Sequence, residues 1–272
     1  MMPVTTTLGD SPIVLAMPHG GTFVPDDIAA RLNAGGLGLS DTDWHIDKLY
    51  EGLLSGATIV QAQFHRYVID ANRGPDGASL YPGQNTTGLC PTTDFDGNDI
   101  WREGQAPSAD EVEARRLAYH APYHAALAEA LAKTQARHGV AVLYDCHSIR
   151  SYIPYLFEGE LPVFSIGTNN GASCDAQVEA ATVQICRAAP SLNMVLNGRF
   201  KGGWTTRHYG QPETGVHAIQ MEIAQRAYLA AEAAPWAYST HVAAPLRAAL
   251  AKILASLDSL ARSGAMPKVI GA

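Results

Sequence analysis

Short apolar runs alternate with helical patterns along most of this chain. The strand-like runs end abruptly at Gly, Pro or polar residues, whereas the helical stretches carry apolar residues at every third and fourth position. This alternation predicts an α/β fold with a parallel sheet. The predicted strands are residues 13–17, 57–61, 65–70, 140–144, 161–166, 193–196 and 217–223. The predicted helices are residues 25–32, 40–53, 108–138, 175–188 and 245–261.

The stretch 140–150 predicts the centre of this sheet. Its first half, Val-Ala-Val-Leu-Tyr, has the continuous apolar pattern of a strand buried on both faces. Its second half is polar and contains Asp145, His147, Ser148 and Arg150. Open α/β sheets bind ligands at the carboxyl ends of their strands, so these side chains are candidates for a functional site.

Three other strands carry polar residues of the same kind. His19 follows the strand 13–17, and Asn72 and Arg73 follow the strand 65–70, where an arginine could bind a carboxylate through two hydrogen bonds. Taken singly, a loop histidine bonded to backbone and a solvated arginine are the simpler interpretations. Glu222 lies within an apolar strand and faces either solvent or a pocket, which alternation alone does not decide.

Length and composition favour one soluble domain that acts on a small molecule. The 272 residues suit a single large α/β domain. The net charge of −7 and the absence of a basic run argue against nucleic acid or an anionic membrane as a partner. No stretch is apolar enough to span a membrane, and no signal peptide is evident, so we expect a cytoplasmic location. The four cysteines contain no C-x-x-C pair and are expected to be reduced thiols.

Two irregular segments are expected to border the site. Residues 76–104 form a long stretch rich in Gly, Pro, Thr, Asn and Asp, for which we predict an ordered loop along the active site. Residues 198–210 combine glycines with cations and predict close contact with an anionic ligand. The cations of this second segment are Arg199, Lys201, Arg207 and His208.

These residues together suggest a hydrolytic metal site. Catalytic zinc takes three protein ligands and keeps one position for water. His19 and His147 would supply two ligands and Asp43 the third, although Asp43 could instead cap a helix. Glu222 would act as the general base. Asp145, two residues before His147, is expected to orient a histidine ring.

A second histidine pair gives a weaker signal. His120 and His124 lie four residues apart on a predicted helix, a spacing that metal-binding helices use. The pair lacks the flanking glutamate of a zinc-protease helix, and Pro122 lies between its members. Packing or surface roles are therefore favoured for both histidines.

Six motifs in a fixed order connect the chain to a known family. They are residues 18–21 (Pro-His-Gly-Gly), 43–47 (Asp-Trp-His-Ile-Asp), 66–73, 145–150, 197–203 and 220–222 (Gln-x-Glu). Together they closely resemble N-formylglutamate amidohydrolases over nearly the whole chain. The resemblance implies hydrolysis of N-formyl-L-glutamate to L-glutamate and formate, the last step of a histidine degradation route.

That family is more distantly similar to zinc carboxypeptidases and aspartoacylases, which implies a mixed, mostly parallel sheet flanked by helices in a single catalytic domain, residues 1–272. By this resemblance His19 and His147 match metal ligands, and Arg66 matches the arginine that polarises the scissile carbonyl. The relatives carry a glutamate ligand where this chain has Thr22. The acidic ligand must therefore come from elsewhere in this chain, and Asp43 is the candidate, with Asp47 and His45 as alternatives.

The resemblance also matches Asn72 and Arg73 to a substrate-binding pair and Glu222 to the general base. We expect the substrate to be held by seven residues, which are Asn72, Arg73, Arg150, Arg199, Lys201, Arg207 and His208. A deacylase for another N-acyl amino acid is the nearest alternative. Ser148 as a nucleophile is weaker, because no G-x-S-x-G turn surrounds it. A dicarboxylate-binding protein without activity would need the arginines but not His19, His147 or Glu222.

Overall fold

The computed structural model describes residues 2–79 and 83–266. The strands in these ranges are β1 (Val4–Thr7), β2 (Ile13–Met17), β3 (Thr58–Ala62), β4 (Ala141–Ile149), β5 (Phe164–Gly167), β6 (Met194–Leu196) and β7 (Val216–Ala224). The α-helices are α1 (Asp26–Ala29), α2 (Ala34–Leu37), α3 (Ile46–Tyr50), α4 (Ala109–Arg115), α5 (Ala121–His138), α6 (Ala176–Ala188), α7 (Trp204–Tyr209) and α8 (Thr240–Ser263). A π-helical turn, Arg116–His120, joins α4 to α5.

The strands form one mixed sheet in the order β1-β3-β2-β4-β7-β5-β6. The pairs β1–β3 and β5–β7 are antiparallel, and the other neighbours are parallel. Strand β4 lies at the centre and is buried along its whole length, as the apolar run at 140–144 predicts. The predicted α/β fold with a mixed, mostly parallel sheet flanked by helices is confirmed.

Successive side chains of the central strands point to opposite faces of the sheet, so the hydrophobic core has one part on each face. Val14 of β2 and Leu143 of β4 pack with α5 on one face, whereas Leu15 and Tyr144 pack with α3, α6 and α8 on the other. Both faces are covered by helices, so the central strands are apolar at consecutive positions.

The polar ends of β4 and β7 share one of these faces. Leu143 lies on the α5 face, so Asp145 and His147, two and four residues later, lie on that face too. Ala218 of β7 also lies on the α5 face, so Gln220 and Glu222, two and four residues later, lie on this face as well. The register pairs Asp145 with Gln220 and His147 with Glu222. Glu222 therefore faces the site formed at the carboxyl ends of these strands.

Some predicted elements differ in the structure. Residues 65–70 do not form a strand: residues 66–68 form a turn and the remaining three are irregular. The whole segment is buried, so its apolar residues reflect burial and not strand pairing. The helix predicted from residue 40 begins only at Ile46, after turns that include His45 in a left-handed conformation (φ 56°). β1 and α2 were not predicted, since both are only four residues long.

Two further features bear on the class of protein. Cys90, Cys146, Cys174 and Cys186 are free thiols, and the last three are buried. Within residues 2–79 and 83–266, we find no helix with the length and apolar character needed to cross a membrane.

Candidate active site

Three buried side chains converge at the carboxyl end of the sheet. Nδ1 of His147 lies 3.4 Å from Oδ2 of Asp43, and Nδ1 of His19 lies 3.9 Å from the same oxygen. The ring centroids of the two histidines are 5.0 Å apart. One possible ligand atom from each residue lies within 4.8 Å of the others, and this is the one such group found in the described residues. The structure thus brings together the three residues predicted as metal ligands.

Local structure explains why Asp43, rather than its neighbours, joins the histidines. Its backbone N–H donates to the carbonyl oxygen of His19 at 3.1 Å, and Ser148 N–H donates to its carboxylate Oδ2 at 3.1 Å. Asp47 points to solvent on α3. His45 places its Nε2 at 2.9 Å from the carbonyl oxygen of Trp236, away from the site. The turn at residues 42–45 therefore supplies one buried carboxylate.

Each histidine is held from its far side by an acidic residue. Nε2 of His19 lies 2.7 Å from Oδ1 of Asp70. Nε2 of His147 lies 3.1 Å from Nδ2 of Asn72, and 3.0 Å from Oδ1 of Asp145, at ion-pair distance although outside hydrogen-bond geometry. Both Nδ1 atoms remain directed toward Asp43. The position of Asp145 agrees with its expected orienting role, whereas Asp70 was missed as a site residue although it lies in the 66–73 motif.

Asp70 also fixes the buried arginine of the site. Nη2 of Arg66 donates to Oδ2 of Asp70 at 2.6 Å, and the two residues are 5% and 0% exposed. Burial alone would raise the pKa of Asp70, but Arg66, His19 and Arg73 together lower this pKa well below its usual range. Asp70 therefore stays ionised. The guanidinium of Arg66 is positioned at the wall of the cleft.

Glu222 is a buried carboxyl group beside His147. Burial raises its pKa to about 7, and Asp43 and Asp145 act in the same direction while His147 and Arg66 oppose them. Gln220 orients this carboxylate, because its Nε2 donates to Oε2 of Glu222 at 3.2 Å and its own carbonyl oxygen accepts the backbone N–H of Gly203 at 2.6 Å. The carboxyl group is thus held in place and able to gain or lose a proton near neutral pH.

The two histidines have opposite pKa shifts. Burial is the largest influence on His19 and lowers its pKa. Burial also opposes the charge on His147, but Asp145, Asp43 and Glu222 outweigh this effect and raise the pKa of His147. Three carboxyl groups therefore surround His147, and the site favours a positive charge.

His19, His147, Arg66 and Glu222 line one cleft. Arg73 and Arg199 line it together with Arg66 and Asn72. Arg73 is fixed by donating to the carbonyl and hydroxyl oxygens of Thr87, at 2.9 and 3.2 Å. A Cβ at Gly203 would lie 2.3 Å from the Asn72 side chain, so glycine is needed at this position. The cleft therefore combines the histidine–carboxylate group with several cations.

Four predicted substrate-binding residues lie elsewhere in the described part of the chain. Arg150 donates to Asp96 at 2.8 Å, outside the lining of this cleft. Lys201 is not among the residues that line it either. Arg207 and His208 are on α7, where Arg207 Nε donates to the carbonyl oxygen of Gly202 and His208 stacks on Trp204. The structure does not bring these four side chains to the cleft.

The long loop and the second histidine pair contribute in other ways. Asn85, Thr86, Thr87 and Phe95 from the segment 76–104 line the cleft, whereas residues 80–82 of this predicted loop lie outside the described ranges. His120 and His124 place Nε2 at 2.9 and 2.8 Å from the carbonyl oxygens of Arg73 and Ala71. The histidine pair therefore contacts the backbone that carries Asn72.

Comparisons with known proteins show which family the chain belongs to. A relative named N-formylglutamate deformylase, from Pseudomonas aeruginosa, is 48% identical over 250 residues, which cover 92% of this chain and 93% of the relative. A protein of the same name from Pseudomonas putida is 43% identical over the same shares. The crystal structure of N-formylglutamate amidohydrolase from Ralstonia eutropha matches with a TM-score of 0.81 at 24% identity, over 97% of this chain and 100% of the other. The sequence profile of N-formylglutamate amidohydrolases matches residues 11–229, and the chain belongs to this family.

Proposed function

We propose that this enzyme hydrolyses N-formyl-L-glutamate to L-glutamate and formate, in the cytoplasm and as the last step of a histidine degradation route. The observation that carries the proposal is the convergence of His19, Asp43 and His147 beside a cleft that a buried glutamate and several arginines line. The names of the two Pseudomonas relatives support the substrate.

The three converging residues fit a divalent metal, most consistently zinc. Two imidazoles and one carboxylate without a thiolate form a donor set that catalytic zinc uses. One candidate donor atom from each residue lies within 4.8 Å of the others, and Nδ1 of His147 and of His19 lie 3.4 and 3.9 Å from Oδ2 of Asp43, so the three residues would hold one ion between them. The surrounding carboxyl groups favour a cation. When bound, such a metal lowers the pKa of water and polarises a carbonyl group.

Arg66 and Glu222 would carry out the other steps of the reaction. The guanidinium of Arg66 would donate to the carbonyl oxygen of the formyl group, where negative charge develops. Ionised Glu222 would take a proton from the attacking water and deliver it to the nitrogen of glutamate as the C–N bond breaks. The water oxygen remains in formate, and the proton leaves with the amino group.

The cations of the cleft would select the glutamyl part of the substrate. Formylglutamate is a dianion with a very small acyl group, so charge-assisted hydrogen bonds must supply most of its binding free energy. Arg73 and Asn72 would hold one carboxylate, and Arg199, which also lines the cleft, would hold the second. Arg73 keeps N–H groups available for a ligand beyond its contacts with Thr87 and Asn72.

A substrate comparison tests this proposal. We expect kcat/KM for N-formyl-L-glutamate to exceed that for N-formylglutamine and N-formylmethionine by about 10²-fold or more, because a neutral side chain cannot form charge-assisted hydrogen bonds with the arginines of the cleft. Equal rates on all three substrates would reject a dedicated glutamate site and favour a general deacylase.

Arg73→Lys tests the arginine separately from the metal site. The substitution keeps the positive charge but loses the planar pair of donors, so KM for formylglutamate should rise by about tenfold or more. Metal content measured on the same preparation should not change. An unchanged KM would remove Arg73 from the substrate-binding set.

Asp70→Asn and Asp145→Asn test the support of the two histidines. Loss of a carboxylate behind a ligand histidine lowers metal affinity by about 10- to 100-fold. Competition with a zinc chelator measures this affinity directly. The matched control is Asp258→Asn, which removes a carboxylate on α8 that pairs with Arg262 and lies away from the cleft. If both site variants bind metal like the control, these aspartates do not orient the ligands.

Ser148 is poorly placed to be a nucleophile. Its hydroxyl accepts hydrogen bonds from Tyr228, at 2.7 Å, and Gln225, at 3.4 Å. A serine nucleophile needs an adjacent base to accept its proton. In the described residues the hydroxyl of Ser148 has no hydrogen bond to a histidine or a carboxylate, so metal-dependent hydrolysis is the better interpretation.

A further inference from the structure

Phe95 forms the wall of the cleft beside Arg66. Its ring is 4.6 Å from the guanidinium carbon of Arg66, and only 7% of the residue is exposed. It packs with Ile149, another residue of the cleft lining, in a small apolar cluster. The segment 76–104 therefore contributes a large, fixed aromatic ring at the point where the reaction is proposed to occur.

Buried hydrogen bonds hold this wall in position. The backbone N–H of Phe95 donates to Oδ2 of Asp41 at 2.9 Å, and the hydroxyl of Tyr67 donates to the same oxygen at 2.8 Å. Oδ1 of Asp94 accepts the backbone N–H groups of Asp96 and Asn98, which closes a tight turn around Phe95. The ring is thus anchored through its backbone on both sides.

The space behind the wall is closed by packed side chains. The gap there has no room for a water molecule, and Phe95, Ser148 and Ile149 line both this gap and the cleft. Its other lining residues include Asp41 and Arg150, which are not part of the cleft lining. The ring of Phe95 therefore fills this end of the cleft, and a larger ligand could extend here only in its place.

The arrangement around the histidines indicates which end of a substrate meets this wall. Asn72 contacts the far side of His147, so the glutamyl part would lie on the side of Asn72 and Arg73. Ser148, on the other side, contacts Asp43 through its backbone N–H and shares the wall with Phe95. With the carbonyl oxygen at Arg66, the substituent on the carbonyl carbon would point toward Phe95.

We propose that Phe95 determines the acyl specificity of the enzyme by closing this end of the cleft to any acyl group larger than formyl. The inference rests on the proposed function. The carbonyl carbon of a formyl group carries only a hydrogen atom. In an acetyl group the same carbon carries a methyl group, which would have to occupy the space that the ring of Phe95 fills. A single methyl group in an apolar pocket changes kcat/KM by about 10- to 200-fold.

The test compares N-formyl-L-glutamate with N-acetyl-L-glutamate in the metal-loaded wild type, Phe95→Ala and Phe95→Val. The ratio of the two kcat/KM values is the readout, since loss of the contact with Arg66 should lower both values together. We expect wild type to favour the formyl substrate strongly, and the acetyl-to-formyl ratio to rise by about tenfold or more in Phe95→Ala. Phe95→Val should give a smaller rise and provides the result if the alanine variant does not fold.

Phe200→Ala is the matched control. Phe200 also lines the cleft and packs in the same apolar cluster, but it lies beside Arg199, with Arg199 Cζ 5.5 Å from its ring. Its replacement should leave the acetyl-to-formyl ratio unchanged. A wild type that cleaves both substrates equally, or an unchanged ratio in both Phe95 variants, would overturn the inference alone. A metal-loaded wild type that does not cleave formylglutamate would overturn the proposed function, and the inference with it.

Discussion

Glu222→Gln is expected to lower kcat/KM for N-formylglutamate by about 10²- to 10⁴-fold, the usual contribution of a general base. Glutamine has nearly the same shape and can still bond to Gln220, but it cannot accept a proton from water. Metal content and the thermal unfolding midpoint should therefore stay close to wild type. Glu129→Gln, which changes an exposed glutamate on α5, is the control and should retain full activity.

The pH profile gives a second readout for the same residue. Burial raises the pKa of Glu222 to about 7, so its carboxylate becomes protonated as the pH falls through that region. A protonated base is inactive, and kcat/KM should decrease on the acid side at a pH well above the 4.5 expected for an exposed glutamate. Glu222→Gln should lack this acid limb. Retention of the limb in the variant would assign it to another group.

The centre of the fold could be predicted because its residues are buried in a regular way. β2 and β4 are covered by helices on both faces, and their continuous apolar runs identify them without knowledge of their neighbours. The face on which Glu222 lies could not be predicted, because the choice depends on the register with β4 and on which helices cover each face. Register is a tertiary property that alternation in one strand does not contain.

The segment 65–70 shows where periodicity misleads. Tyr67, Val68 and Ile69 are typical strand residues and are fully buried, yet Tyr67 and Val68 lie in a turn and Ile69 in irregular backbone. Burial therefore gave this segment an apolar pattern without strand pairing. Asp70 was overlooked for the same reason. In a strand, nothing would have directed the side chain of Asp70 toward the site. In the observed irregular backbone it contacts both His19 and Arg66.

The charge pattern of the segment 198–210 did not predict the directions of its side chains. Arg199 lines the cleft, but Arg207, on α7, donates to the carbonyl oxygen of Gly202. Nothing in the spacing of these cations distinguishes the two positions, since the short helix that carries Arg207 was not predicted. The direction of a long side chain depends on the backbone it finds nearby. Composition therefore indicates an anionic ligand without saying which cation binds it.

His147→Ala is expected to lose stoichiometric metal and to lower activity by about 10³-fold or more, because a site with only His19 and Asp43 holds a divalent ion weakly. Metal analysis after dialysis measures the first effect. The unfolding temperature gives an independent measurement of metal binding. Zinc that binds only the folded protein raises the unfolding temperature, so adding zinc to metal-depleted wild type should stabilise it and the variant should show no comparable shift.

The control for this prediction is His241→Ala, which removes an exposed histidine of α8. This variant should keep metal, activity and the zinc-dependent stabilisation. His147 is enclosed by Asp145, Asp43 and Glu222, so its removal also leaves three carboxyl groups without their nearest cation and should destabilise the protein without metal. Loss of activity in His147→Ala with full metal content and an unchanged zinc response would show that His147 is not a ligand, and the site would then need another third donor.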